Sequence, residues 1–253
     1  MKKIRKFGKR SGIISGILIF LIVTVMLGIQ WVTEYIWMDS VDYSSVFVTI
    51  FQTKVLLGTA GFVLFAILTY ITLFWISRSY KKHFDIHQLP PFFSQGKLLQ
   101  LIIWGSALFA GIIGSAIIHG VGWEPSLKLM NFESFGKTDP FFNLDISFYM
   151  FVLPYLKFIL SILLSLSIFY LAVEVAAYSV FHMYRMNRSA QAHLGITVIV
   201  TGIILALTHV LEPFDTLLTN KVNLFQESVV YGLSFTDRVI NIPKAYILAA
   251  VAL

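Results

Sequence analysis

The sequence predicts an all-α fold: a polytopic transmembrane helix bundle with five full spans and the start of a sixth. Three observations carry this. Hydrophobic residues make up 57% of the chain and charged residues only 13%. Several apolar runs reach the ~18–20 residues that a helix needs to cross a bilayer. Lysines and arginines gather in alternate connecting segments, the arrangement expected when cytoplasmic loops are the positive ones. A chain of 253 residues has the length of one or two soluble domains, but this composition argues against them. Cysteine is absent, so disulfide staples and thiolate chemistry are excluded.

Taken in order, the chain opens with Lys2, Lys3, Arg5, Lys6, Lys9 and Arg10 before an apolar run over 13–32. That run is too long for a signal-peptide core and no small-residue cleavage site follows it, so it reads as an uncleaved first span. Gly12 and Gly16 give it a GxxxG spacing, a weak sign of close packing. Residues 31–53 read as an outer loop with Glu34, Asp39 and Asp42, and its Trp31, Tyr35, Trp37 and Tyr43 suit a membrane–water boundary. The apolar second half of this loop, 46–52, has helical character.

The second span covers 55–76. The loop after it, 77–97, holds Arg78, Lys81, Lys82 and Lys97, and Pro90-Pro91 breaks any helix there. The third span covers 98–118. Ser106, Ala110 and Gly114 lie four apart, as do Ala107, Gly111 and Ser115, so this helix is expected at the centre of the bundle. A long outer loop, 120–147, leads to a fourth span over 149–181. At 1.5 Å per residue that helix would be about 50 Å long against a hydrocarbon core of about 30 Å, so it must tilt or project. A short basic loop with His182, Arg185 and Arg188 precedes the fifth span, 194–211. Residues 212–242 form another outer loop, and Pro243 opens a sixth apolar run over 243–253. Those last residues are too few to cross a bilayer, so the sequence reads as the membrane part of a longer protein.

The acids fall mainly in the outer loops; Asp85 and Glu174 are the exceptions. The expected topology therefore puts the amino terminus in the cytoplasm and the protein in the cell membrane, multi-pass. The net charge of +6 then reflects attraction to anionic inner-leaflet lipid rather than a nucleic-acid partner.

The most unusual stretch is 135–155, FGKTDPFFNLDISFYMFVLPY. Asp139-Pro140 marks a turn. Asn143 and Asp145 have the short polar side chains that cap helix starts. Phe148, Tyr149, Phe151 and Tyr155 crowd the beginning of an apolar run, as at a membrane interface. Pro154 is tolerated in a first helical turn and kinks a helix if deeper. The plainer reading is an interfacial loop with a capped helix start; the sharper one is a re-entrant loop lining a site, which needs protein or water around it.

The run from Gly136 through Asp139, Pro140, Phe142, Asp145, Phe148, Tyr149, Phe151, Leu153 and Pro154 resembles the hallmark of uncharacterised protein family 0182, large bacterial integral membrane proteins. Residues 31–47 are similar to a second, looser pattern of that family. Tyr231-Gly232 through Thr236, Asp237 and Pro243 are similar to a third. The resemblance implies a bundle of about seven spans followed by a large extracytoplasmic domain, here absent, and it implies no catalytic residues.

Chemistry inside the spans is sparse. Glu174 lies twenty residues after Pro154, about 30 Å along the helix and hence near the inner interface. Lys157 can snorkel from the outer end. His119, His209 and Glu212 could meet at the outer face, with Asp139 or Asp145 nearby, and histidine with carboxylates is metal-ligand chemistry; but no HxxxH or HExxH spacing exists, so no metal and no cofactor are expected. No Gly-rich phosphate loop and no G-x-S-x-G elbow is present. The expected function is therefore the membrane-embedded part of an envelope protein. Its outer loops would dock an envelope partner or the protein's own extracytoplasmic domain. Transport of a small or lipidic solute is the alternative. An enzymatic role, such as lipid-linked sugar chemistry at Asp39, Asp42, Asp139 or Asp145, ranks third.

Overall fold

The computed structural model describes residues 28–83, 96–179, 187–218 and 233–253, with Leu18, Leu21, Ile22 and Val25. The regular elements among these residues are helices, and the single antiparallel bridge joins Thr138 to Asp145. The basic start, most of the expected first span, Gly12-Gly16, Pro90-Pro91, His182, Arg185 and Tyr231-Gly232 lie outside the described residues.

The chain divides into two compact units, Met1–Val55 and Leu56–Leu253. In the first, residues 31–53 are not the expected loop. A helix over 28–40 (α1) turns through 41–43 into a long helix, α2 (Ser44–His83). Asp42 takes a left-handed φ of 63°, and the amide of Tyr43 donates to the Met38 carbonyl at 2.8 Å, which closes the turn. The aromatic residues explain the hairpin. Trp31 meets Phe51 edge-on at 5.1 Å, and Tyr35 meets Phe47 at 5.4 Å. Lys54 lies 5.4 Å over the Trp31 ring. The ring pairs recur every four residues on both helices, which is helical spacing.

The second unit holds the rest of α2, then α3 (Gly96–Val121), α4 (Trp123–Met130), α5 (Leu153–Ser179), α6 (Arg188–Thr216) and α7 (Ile242–Ala252). Small residues set how closely these helices approach. A Cβ built on Gly61 of α2 would sit 2.6 Å from the Gly114 carbonyl of α3, and one on Gly114 would sit 2.3 Å from the Phe65 ring. Such backbone proximity is how helices associate where lipid removes the hydrophobic drive. The contact face of α3 draws on both predicted ridges: Ala107 and Gly111 of one and Gly114 of the other are buried, with Leu99 and Ile103. Gly202 of α6 does the same against α7, where a Cβ would meet the Ala252 carbonyl at 2.4 Å.

Two clusters hold α2, α5 and α6 together. Phe65, Leu166 and Tyr170 form one, with the Tyr170 hydroxyl 2.6 Å from Thr69 Oγ1. Ile76, Tyr80, Tyr178 and Ala190 form the other, where the Tyr80 hydroxyl donates to the Ala177 carbonyl. The outward faces stay apolar: Leu101, Phe109, Ile112, Phe169 and Ile199 are exposed. Helices that are hydrophobic all round belong in lipid or in the interior of a larger protein.

Among the described residues, four helical stretches are long and apolar enough to cross a membrane: Ser44–Lys82, Gly96–Val121, Phe148–Ser179 and Arg188–Thr216. Four of the five expected full spans are therefore seen. The expected span over 13–32 lies mostly outside the described residues. The eleven residues of α7 give about 16 Å, half of a hydrocarbon core. The other four expected spans correspond to these helices; three are longer than their apolar runs, while Phe148–Ser179 starts one residue before the expected 149–181 and ends two residues short of it. The loop 120–147 also differs, since it contains the short helix α4, with a Lys128–Glu124 ion pair at 2.7 Å on its exposed side.

Candidate functional site: two carboxylate centres

The motif loop is built around Asp139 and Asp145. The chain folds back between them, with the Asp139 amide donating to the Leu144 carbonyl and the Ile146 amide to the Lys137 carbonyl, both at 2.9 Å. Asn143 sits at the tip with φ 55°, so it is a left-handed turn residue and not the helix cap expected of it. Pro140, exposed, starts the turn.

Asp139 is buried, and both its oxygens are filled. Oδ1 accepts from the amides of Phe141 at 2.8 Å and Phe142 at 2.7 Å. Oδ2 accepts from the Leu144 amide at 3.0 Å and the Tyr149 hydroxyl at 2.8 Å. Burial works against ionisation here, but the amides and the Tyr149 hydroxyl outweigh it and hold the carboxyl below its usual range. Asp145 is filled in the same way. It accepts from the hydroxyls of Ser134 and Ser147 and from the amides of Ser147 at 2.8 Å, Gly136 at 3.0 Å and Phe135 at 3.2 Å. The Ser134 and Ser147 hydroxyls, followed by the Ser147 amide, hold its carboxyl well below the usual range. Asp145 thus performs the expected cap at the start of the helix.

Tyr149 and Phe148 enter α5 through a wide turn, Phe148–Val152, in which the Leu153 amide reaches back five residues to the Phe148 carbonyl. The reason is Pro154. Its ring crowds the carbonyl four residues earlier and it has no N–H to donate, so one extra residue in the turn relieves the clash. The same device recurs at α7. There Asp237–Asn241 form the wide turn, the Ile242 amide donates to the Asp237 carbonyl, and Pro243 follows. Asp237 is fully buried and accepts from the Ser234 amide at 2.9 Å, the Ser234 hydroxyl at 2.7 Å and Asn241 at 2.8 Å. Thr236 and Pro243 are exposed beside it.

These two motif segments meet. The Arg238 guanidinium lies 4.3 Å over the Phe141 ring. Phe142 and Phe148 close on Phe214, at the end of α6, at 4.8 Å and 5.6 Å. Lys157 pairs with Asp215 at 2.7 Å. Of the expected meeting of His119, His209 and Glu212, the structure shows the contact of His209 Nδ1 with Glu212 Oε1 at 2.8 Å. No group of three or more potential metal ligands comes together among the described residues.

The second centre escaped the sequence reading. Glu174 of α5 is 1% exposed, and its Oε1 lies 3.1 Å from His193 Nε2 of α6. The Thr197 hydroxyl donates to the same Oε1 at 2.9 Å. The other side of the imidazole, Nδ1, meets the Tyr178 hydroxyl at 2.9 Å. Trp75 of α2 lies flat on the imidazole, with 4.6 Å between ring centres and 2° between planes, and its indole N–H donates to Ser189. Asn187 caps α6 by accepting from the Ser189 amide and donates to the Ser79 carbonyl of α2, which pins the two helix ends together. Glu174 Oε2 is buried and has no hydrogen-bond partner among the described residues.

With both centres described, the comparison with known proteins can be read. The family model described as "Uncharacterised protein family (UPF0182)" matches residues 11–253. The chain belongs to this family. Its relatives include a UPF0182 protein of Alkaliphilus metalliredigens, 26% identical over 244 residues that cover 88% of this chain and 25% of that protein. A UPF0182 protein of Thermobifida fusca is 26% identical over 253 residues, covering 88% of this chain and 22% of the relative. One from Paenarthrobacter aurescens reaches 30% identity over 152 residues, 57% of this chain and 14% of the relative. This UPF0182 chain thus spans about a quarter of the length of the curated relatives it matches. No solved structure matches it.

The family assignment fits the helical architecture and places no chemistry on either centre. In this UPF0182 chain the residues of the expected motifs, Asp139, Asp145, Tyr149 and Asp237, are those whose polar atoms are consumed by local structure. Glu174, His193 and Tyr178 belong to none of the motifs.

Proposed function

We propose that this chain is the membrane-embedded part of a multi-pass cell-envelope protein, with its amino terminus in the cytoplasm and the Asp139–Asp145 loop on the outer face. The loop acts as a rigid platform that seats the protein's own extracytoplasmic portion or another envelope protein. The bilayer is its solvent, and nucleic acid has no part. One observation carries the reading of the loop. The oxygens of Asp139 and Asp145 are engaged by donors from their own loop and helix start. Carboxylates occupied in this way brace a structure and leave little capacity to bind or process a solute.

The cysteine-free sequence makes a direct test simple. Glu133→Cys, in the motif loop, and Arg188→Cys, at the start of α6, are both exposed positions. In intact cells an impermeant thiol reagent should label the first and spare the second. Equal labelling from outside contradicts the topology.

A second reading, movement of a small or lipidic solute, draws on one feature. A cavity of about 650 Å³ opens between α2, α3 and α5, walled by Phe109, Ile113 and Phe169, with Ser106, Ser161 and Ser165 as its small polar points. Its volume and apolar lining suit a lipid chain.

A further inference from the structure

The Glu174 centre does something that a brace does not require. The Tyr178 hydroxyl, with one proton, has His193 Nδ1 within reach; donating there fixes the imidazole as the tautomer with its proton on Nε2. That proton points to Glu174 Oε1, which also receives the Thr197 hydroxyl. Oε1 is therefore saturated and Oε2 is left over. Glu174 and His193 stand in the wall of a cavity of about 310 Å³, which runs along α2, α5 and α6 as far as Leu163 and Ile204. The rest of that wall is almost wholly apolar, with Thr72 and Ser167 as the exceptions besides Tyr170, Trp75 and Thr197.

A purely structural pair would close its valences, as Asp139 does. A buried carboxyl oxygen with no donor carries an unmet desolvation cost, which a bound proton or the donor of a ligand would offset. The titratable groups around it among the described residues are His193 from α6, Tyr170 and Tyr178 from α5 and Tyr80 from α2; it is hydrogen-bonded to His193, and no described lysine or arginine pairs with it. Among the described residues, no permanent positive charge fixes its state. At the other end, the Ser79 side chain is hydrogen-bonded to Tyr178, and the Ser79 and Ser189 hydroxyls join at 3.0 Å beside the Asn187 cap. Ionisable residues inside membrane helices characteristically mark proton and ion pathways.

We propose that Tyr178, His193 and Glu174 form a proton-binding relay, with Glu174 Oε2 as the atom that takes up and releases the proton at the cavity wall. The step balances simply. One O–H bond forms at Oε2 when a proton enters, the carboxylate becomes a neutral acid, and the cluster gains one positive charge unit. On release the same bond breaks and the proton leaves to water or to a solute in the cavity. As Oε2 releases its proton, His193 passes its Nε2 proton to Oε1, Nδ1 takes the Tyr178 proton and the Ser79 hydroxyl, hydrogen-bonded to Tyr178, refills Tyr178, so one proton leaves for each one that enters at the Ser79 end. The ligand is thus the proton itself. This goes beyond the platform reading and holds whether or not the outer loop seats a partner.

Infrared difference spectroscopy on the full chain in lipid nanodiscs tests it. Between acid and alkaline buffer the wild type should show a protonated-carboxyl C=O band whose intensity follows pH. Glu174→Gln should lack that band, and His193→Gln should move its midpoint by roughly one pH unit or more. Thr197→Val keeps the three relay groups and removes one donor to the carboxylate, so it should raise the midpoint. It also serves if Glu174→Gln does not insert. A wild-type band that ignores pH overturns the proposal. So does an identical difference spectrum in Glu174→Gln, or an unmoved midpoint in both His193→Gln and Thr197→Val.

Discussion

Asp139 and Glu174 are both buried carboxyl groups, and they are finished in opposite ways. Asp139 receives four hydrogen bonds, three of them from backbone amides within five residues of it. Glu174 receives its donors on one oxygen and leaves the other without a partner. The difference teaches that burial alone does not mark function. A carboxylate closed by its own loop holds backbone in place. One left open between helices retains a valence that something else must fill.

The largest expected effect follows from removing the closed group. Asp139→Ala strands the amides of Phe141, Phe142 and Leu144 and the Tyr149 hydroxyl in a buried loop. The loss should be on the order of 3 kcal/mol or more, read as a lowered melting point in detergent and rapid protease cleavage in 135–147. If Asp139→Ala instead kept wild-type stability and abolished an activity, the loop would be a solute site and the comparison would fail. Next in size is Tyr149→Phe, which removes one donor from Asp139 and should cost about 1–2 kcal/mol by the same melt.

Acid should expose the same asymmetry. The carboxyls of Asp139 and Asp145 are held below their usual range in the folded protein. Their stabilisation is then full above the unfolded carboxylate value of about 3.9, and is lost as pH falls through their lower folded values. Protease resistance of the loop, measured after acid exposure, should therefore stay level from neutral pH to about 4 and decline below it. A decline already complete near neutral pH contradicts the tight bracing. The smallest effect belongs to Lys157→Ala. Its ion pair with Asp215 is close to half exposed on both sides, and such pairs contribute about 0.5 kcal/mol.

How much of this was readable in the sequence depends on the range of the interaction. Spans built from long apolar runs were legible, and so was the packing ridge of α3, because four-residue spacing of small residues is local. The α1–α2 hairpin was missed because Asp39, Asp42 and four aromatic side chains look like an interfacial loop. Yet Trp31 to Tyr35 and Phe47 to Phe51 are both four apart, and that signal for helix was present. The wide turns before Pro154 and Pro243 were not legible, since a proline states a conflict and not its resolution. His193 fell one residue outside the expected fifth span. Its partners, Glu174 and Tyr178, lie four apart on another helix, and only their juxtaposition in space makes a centre of them.

The contrast between the two carboxyl groups is tested most directly by isosteric amides measured side by side. Asp139→Asn and Glu174→Gln should each be melted in the same detergent at neutral pH. Asp139→Asn loses an acceptor that a loop amide requires and should melt several degrees below wild type. Glu174→Gln keeps the oxygen that accepts from Thr197 and His193 and should melt within a degree or two of wild type or above it. The reverse order, with the glutamine variant collapsing and the asparagine variant unaffected, would contradict the account.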